Sequence, residues 1–125
     1  MARVLCTGVY ASLRKVILEG GGHVVIAAPD KSTLLTACRF HSFDVAIVGQ
    51  QGSSTDKKES LKVIRKYCPA AKVLEIYVAH ENVSLPDADD WLETPVTNYL
   101  SERVSDLAKK TIAGPAETNS LKGAS

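Results

Sequence analysis

Apolar runs and amphipathic stretches alternate along the chain, with glycine or proline at most of the changes. Arg3-Val4-Leu5-Cys6-Thr7 is a short apolar run stopped by Gly8, the pattern of a buried strand. From Tyr10 to Glu19, Leu13, Val16 and Ile17 recur at helical spacing and predict a helix that turns those residues inward. Gly20-Gly21-Gly22 ends it, because glycine enters the left-handed region without strain. His23 to Ala27 reads as a second strand, and Asp30 is placed to cap a helix that buries Leu34, Leu35, Ala37 and Cys38. Phe43 to Val48 is a third apolar strand, halted by Gly49.

The second half repeats the alternation with one break. After the loop Gly49-Gln50-Gln51-Gly52-Ser53-Ser54, Asp56 and Glu59 have capping-box spacing at the start of a helix with Leu61, Ile64 and Cys68 on its apolar side. Pro69 stops that helix, and Lys72 to Val78 is a fourth strand. Ala79 to Ala88 shows little helical periodicity, so the crossover helix expected there is short or missing. Trp91-Leu92-Glu93 predicts a very short fifth strand, and Thr97 to Lys110 a last helix with Leu100, Val104 and Leu107 inside. Residues 111–125 are too poor in apolar side chains to order themselves and predict a flexible tail behind a domain of residues 1–110. Short apolar strands separated by helices imply an α/β fold: a five-stranded parallel sheet covered on both faces. The right-handed crossover rule makes the flavodoxin-like order 2-1-3-4-5 the economical one.

Composition adds exclusions. Lys plus Arg is 15 against Asp plus Glu at 14, so there is no net pull on a phosphate backbone, and nucleic acid is not an expected partner. No run reaches the roughly 18 consecutive apolar residues of a membrane span, so no membrane is expected either. Met1-Ala2-Arg3 leads into a strand without the apolar stretch of a secretory signal, and three scattered cysteines suit a reducing compartment. The expectation is a cytoplasmic chain.

Ligands on such sheets bind at the carboxyl ends of the strands. Phosphoryl or metal chemistry there needs carboxylates, since hard cations take oxygen ligands. The first strand instead ends in Thr7-Gly8-Val9-Tyr10, and Gly49 after the third strand has no side chain to act as acceptor. Asp30, the one acid at these ends, is explained as a helix cap. The Gly49–Ser54 loop lacks the lysine and spacing of a phosphate-binding loop, and no Gly-x-Gly-x-x-Gly follows the first strand. Cys6, Cys38 and Cys68 make no Cys-x-x-Cys pair and read as small buried hydrophobes. His23, His41 and His80 share no ligand spacing, and a nucleophilic pair such as Cys6 with His80 has no supporting pattern. Asp87, Asp89 and Asp90 read as solvated loop acids; Trp91 reads equally as core and as interface.

The order of elements, the strand Phe43-Asp44-Val45-Ala46-Ile47-Val48 and the segment Ala88-Asp89-Asp90-Trp91-Leu92-Glu93-Thr94-Pro95 together resemble a response-regulator receiver domain over about residues 3–110. The resemblance implies that Gly49 occupies the phosphoacceptor position and that Thr7 and Gly8 occupy those of the metal-binding acids. The family's hydroxyl residue falls on or beside Tyr77, its Lys-Pro on Thr94-Pro95, and its switch aromatic on Trp91. The implied function is a degenerate receiver: no catalytic residue, no metal, no cofactor, no enzymatic activity, and action by binding a protein partner or itself. The face that such domains commonly use maps to Asp87 through Leu107, with Trp91 and Tyr99 as anchors. The alternative is a small-molecule or nucleotide-binding domain whose pocket floor is the Thr7–Tyr10 and Gly49–Ser54 loops. A small enzyme would need a catalytic pair that the sequence does not offer.

Overall fold

The computed structural model describes residues 2–51, 53–78, 81–94 and 99–117. Five strands run in chain order as β1 (Arg3–Thr7), β2 (Val24–Ala28), β3 (Val45–Val48), β4 (Lys72–Val78) and β5 (Asp90–Thr94). All pair in parallel in the order β2-β1-β3-β4-β5, as the pattern predicts. Four helices accompany them: α1 (Ala11–Gly20), α2 (Lys31–Phe40), α3 (Ser54–Tyr67) and α4 (Leu100–Glu117).

Each sheet face has its own core. On one, Ala11 and Leu18 of α1 and Leu100, Val104, Leu107 and Ala108 of α4 pack on Val4, Cys6, Val45, Ile47, Leu74 and Ile76. On the other, Leu34, Ala37 and Cys38 of α2 and Ile64 of α3 pack on Leu5, Ala46, Val48 and Val73. Alternation along the strands sends successive side chains to opposite faces, and both are covered, hence the unbroken apolar runs.

Four local expectations are corrected. In α1 the inward positions are Ala11, Arg14 and Leu18, while Leu13 and Val16 are 60% and 67% exposed. The helix turns toward the sheet the face that carries Arg14, whose long stem packs as a hydrocarbon. The α3 cap is Ser53, whose hydroxyl accepts from the Asp56 N–H at 3.2 Å, so Asp56 lies in the first turn. The reciprocal capping box belongs to α2, where Asp30 and Thr33 each accept from the other's backbone N–H. β3 begins at Val45 rather than Phe43, and α4 continues past Lys110 to Glu117. Once four packed residues have nucleated that helix, each further residue adds a hydrogen bond at little cost. Residues 118–125 of the expected tail lie outside the described residues.

Between β4 and β5 the described residues 81–89 form no helix, as expected. An ionic anchor holds the connection instead. Glu75, fully buried in the middle of β4, receives the Lys57 ammonium at 2.9 Å and the backbone N–H groups of Ser84 and Leu85 at 2.8 and 2.9 Å. Lys57 also donates to the Ile76 carbonyl at 3.0 Å. Trp91 clasps the connection from the other side, its indole N–H donating to the Leu85 carbonyl at 2.9 Å. Lys57→Met should therefore destabilise the fold by about 3–5 kcal/mol, because it strands a buried carboxylate. Lys57→Met combined with Glu75→Gln, which keeps an acceptor for Ser84 and Leu85, should recover part of the loss in urea unfolding. Equal losses in the single and double variants would contradict the ionic anchor.

Candidate functional site

The carboxyl ends of the strands are where this fold class binds ligands, and two glycines shape them here. Gly8, directly after β1, has a φ of +98°, and a Cβ there would lie 2.6 Å from the Gln50 carbonyl oxygen. The approach is held by Val9 N–H donating to that same oxygen at 2.9 Å. No side chain, acidic or otherwise, fits at Gly8 without rebuilding the loop. Gly49, directly after β3, is buried beneath Arg14; a Cβ on it would overlap the Arg14 Nη1 and come within 3.0 Å of the Thr7 carbonyl oxygen.

Arg14 reaches this position from α1 and is 5% exposed. Its guanidinium carbon lies 5.7 Å from the centre of the Tyr10 ring, a cation–π distance. Burial lowers its pKa from the ordinary value, against smaller raising influences from Cys6 and Tyr10. Nη1 has no hydrogen-bond partner among the described residues. The sequence reasoning missed this residue, because a basic side chain on an amphipathic helix reads as solvent-facing.

Beside these glycines, on the α2 and α3 side of the sheet, lies a cleft of about 210 Å³. Thr7, Gly8 and Gln51 line its floor, and Asp30, Lys31 and Glu59 are among its walls. The Thr7 hydroxyl donates to the Ile47 carbonyl at 3.0 Å, and Gln51 links Thr7 to Ser60 through its amide, at 3.4 and 3.1 Å. Lys31 and Glu59 form an ion pair between α2 and α3, which raises the lysine pKa and lowers that of the carboxyl. The Thr33 backbone N–H holds the Asp30 carboxyl below the usual range, so Asp30 is an ionised cap. Among the described residues, no group of three His, Cys, Asp or Glu side chains is arranged to hold a metal ion. Cys6 lies under Arg14 with its thiol pushed up to about 12 by burial, far from the thiolate a nucleophile needs. His80, its paper partner, lies outside the described residues.

The other sequence-selected residues have structural work. Asp89 accepts the Val73 N–H at 2.7 Å, and Asp90 pairs with Arg103 at 3.0 Å, so two of the three clustered acids fasten β5 rather than meet solvent alone. Trp91 is half-buried against the α2 and α3 core and serves as the clasp on Leu85. Tyr99, at the start of α4, is 56% exposed. Tyr77, at the end of β4, is half-buried; Thr94 ends β5, and Pro95 lies outside the described residues. Exposed apolar side chains gather at α1, with Val9 and Tyr10 just before the helix and Leu13 and Val16 on it. No described helix is long and apolar enough to cross a membrane.

No family model matches the sequence, and no curated protein does. Solved structures match over most of the chain. One is the receiver domain of a Francisella response regulator, with TM-score 0.74 and 23% identity over 89% of this chain and 99% of that one. A CheY-like receiver domain protein from Methanospirillum hungatei gives TM-score 0.76 and 22% identity over 91% and 98%. A response regulator from Thermotoga maritima gives TM-score 0.67 and 25% identity over 86% and 97%. The chain has the receiver fold of two-component signalling proteins.

Substitution at Gly8, with Gly20 as the control, tests the close approach of the loops. Gly8→Ala should cost about 2 kcal/mol or more in urea unfolding, from the left-handed backbone and the clash with Gln50. Gly20→Ala, where a Cβ meets nothing within 4 Å, should be neutral or stabilising. A Gly8→Ala variant as stable as the wild type would contradict the close packing of the two loops.

Proposed function

We propose that this chain is a signalling module on the receiver fold that has lost phosphoryl transfer and works, without enzymatic activity, by binding a protein partner or a second copy of itself. The observation that carries the reading is Arg14. In the receiver frame the phosphoacceptor position is Gly49, and the space its side chain would need is filled by a guanidinium from α1. Gly8, in a metal-ligand position of the same frame, adopts a backbone that disfavours any acid. Thr7, the other such position, spends its hydroxyl on the Ile47 carbonyl. Acceptor and metal acids are thus all absent from those positions, and compensating side chains have closed the space. Support for protein binding comes from the exposed apolar residues of α1, with Tyr99 as a further anchor. Trp91 contributes from beneath, by shaping the connection it clasps. The cytoplasm is the compartment in keeping with three free buried cysteines.

A second reading, a small-molecule-binding domain, is favoured by the cleft of about 210 Å³ on the Thr7, Gly8 and Gln51 floor. A ligand there would raise the thermal midpoint in proportion to the logarithm of its concentration above saturation.

Incubation with acetyl phosphate and magnesium, followed by intact-protein mass spectrometry, tests the leading reading. The mass should stay that of the unmodified chain. A gain of one phosphoryl group that hydroxylamine removes would mark an acyl phosphate and overturn it.

A further inference from the structure

The connection between β4 and β5 leaves something open. Parallel crossovers usually carry a helix that covers the sheet and its neighbours. Here residues 81–89 carry none, and between them and α3 lies a groove of about 390 Å³. Leu61, Leu85 and Pro86 give it an apolar lining, and Lys58 and Lys62 stand on its α3 side. Both lysines are exposed, and neither makes an ion pair among the described residues.

The groove is preformed rather than induced. Glu75 holds the Ser84 and Leu85 N–H groups, Trp91 holds the Leu85 carbonyl, and Arg65 closes one end by donating to the Asp87 carbonyl at 2.9 Å. A wall fastened at both ends costs little ordering entropy when something docks against it. Its lining is net positive, with Lys58 and Lys62 against the single acid Asp87. α3 carries Lys57, Lys58, Lys62, Arg65 and Lys66 against Asp56 and Glu59. Lys57 and Arg65 are committed inward, and Lys58 and Lys62 are left facing the groove.

We infer that this groove is the docking site for an acidic amphipathic segment of a partner protein, which lays apolar side chains over Leu61, Leu85 and Pro86 and carboxylates against Lys58 and Lys62. The complementarity of charge selects the occupant. The chain's own residues 111–125 hold one glutamate and one lysine, so they bring no net negative charge. The lining offers no aromatic ring on which a nucleobase could stack. The inference rests on the protein-binding reading above and adds to the apolar side chains at α1 a second surface, with its partner's chemistry.

The probe is a short fluorescein-labelled synthetic helix with leucine along one face and glutamate along the other, titrated with the full chain. Fluorescence polarisation should rise saturably and fall as sodium chloride is added, and Trp91 emission should change in step, since its indole grips the wall of the groove. The double variant Lys58→Glu with Lys62→Glu should keep its thermal midpoint and bind at least about tenfold more weakly. The same peptide with lysine in place of glutamate should not bind. No saturable binding, or equal binding by the charge-reversed variant, would overturn the inference. So would an oligonucleotide that binds with the same lysine dependence, or self-association of the chain that the double variant abolishes. Acceptance of a phosphoryl group from acetyl phosphate would instead overturn the parent reading and leave the peptide titration unaffected.

Discussion

The outer half of the sheet is organised around one carboxylate without access to water. Glu75 sits in the middle of β4, and its charge is tolerable only because Lys57, two backbone N–H groups and a dry surrounding meet it together. An unpaired carboxylate in that position would cost several kcal/mol, a large fraction of the stability of a domain of this size. The requirement fixes the first turn of α3 against β4 and pulls residues 84 and 85 into place. Leu85 is then where the Trp91 indole can reach it, and Trp91 lies on β5, so the edge strand is secured by the same network. A missing helix has been replaced by one ion pair and three hydrogen bonds.

The carboxyl edge of the sheet shows the complementary device. Phosphoryl chemistry on this fold needs open space and concentrated negative charge after β1 and β3. Here two glycines let the β1 and β3 loops approach until the Val9 N–H meets the Gln50 carbonyl, and Arg14 fills the space above Gly49. Positive charge stands where negative charge would be required. The close approach of the loops and the Arg14 guanidinium pack the edge after β1 and β3, and the cleft toward α2 and α3 lies beside it. Cys6, Ala28 and Val48, at or beside the carboxyl ends of their strands, belong to the two cores, so the packing of both faces reaches that edge.

The strand order, the Asp30 cap and the absence of a helix between β4 and β5 were all legible in the sequence, because each rests on local pattern: unbroken apolar runs, a capping residue before a helix, a stretch without periodicity. The burial of α1 was not. Leu13 and Val16 look like the inward stripe, and only the fit of Arg14 between Cys6, Tyr10 and Gly49 shows why the opposite face turns in. The same holds for Glu75, a single acid inside an apolar strand, whose partner lies eighteen residues earlier and whose role depends on two N–H groups about ten residues later. Of the carboxyl edge, the residues Thr7, Gly8 and Gly49 were readable in the sequence; Arg14, which packs against Gly49 from another element, was not.

The central claim is that the carboxyl edge no longer communicates a phosphoryl signal to the rest of the fold. Trp91 reports on it directly, for it lies on β5 and is bonded to the connection that follows β4. Its fluorescence, titrated with beryllofluoride in the presence of magnesium, should remain flat in intensity and in wavelength. A saturable, magnesium-dependent change would show a working acceptor site and contradict the account.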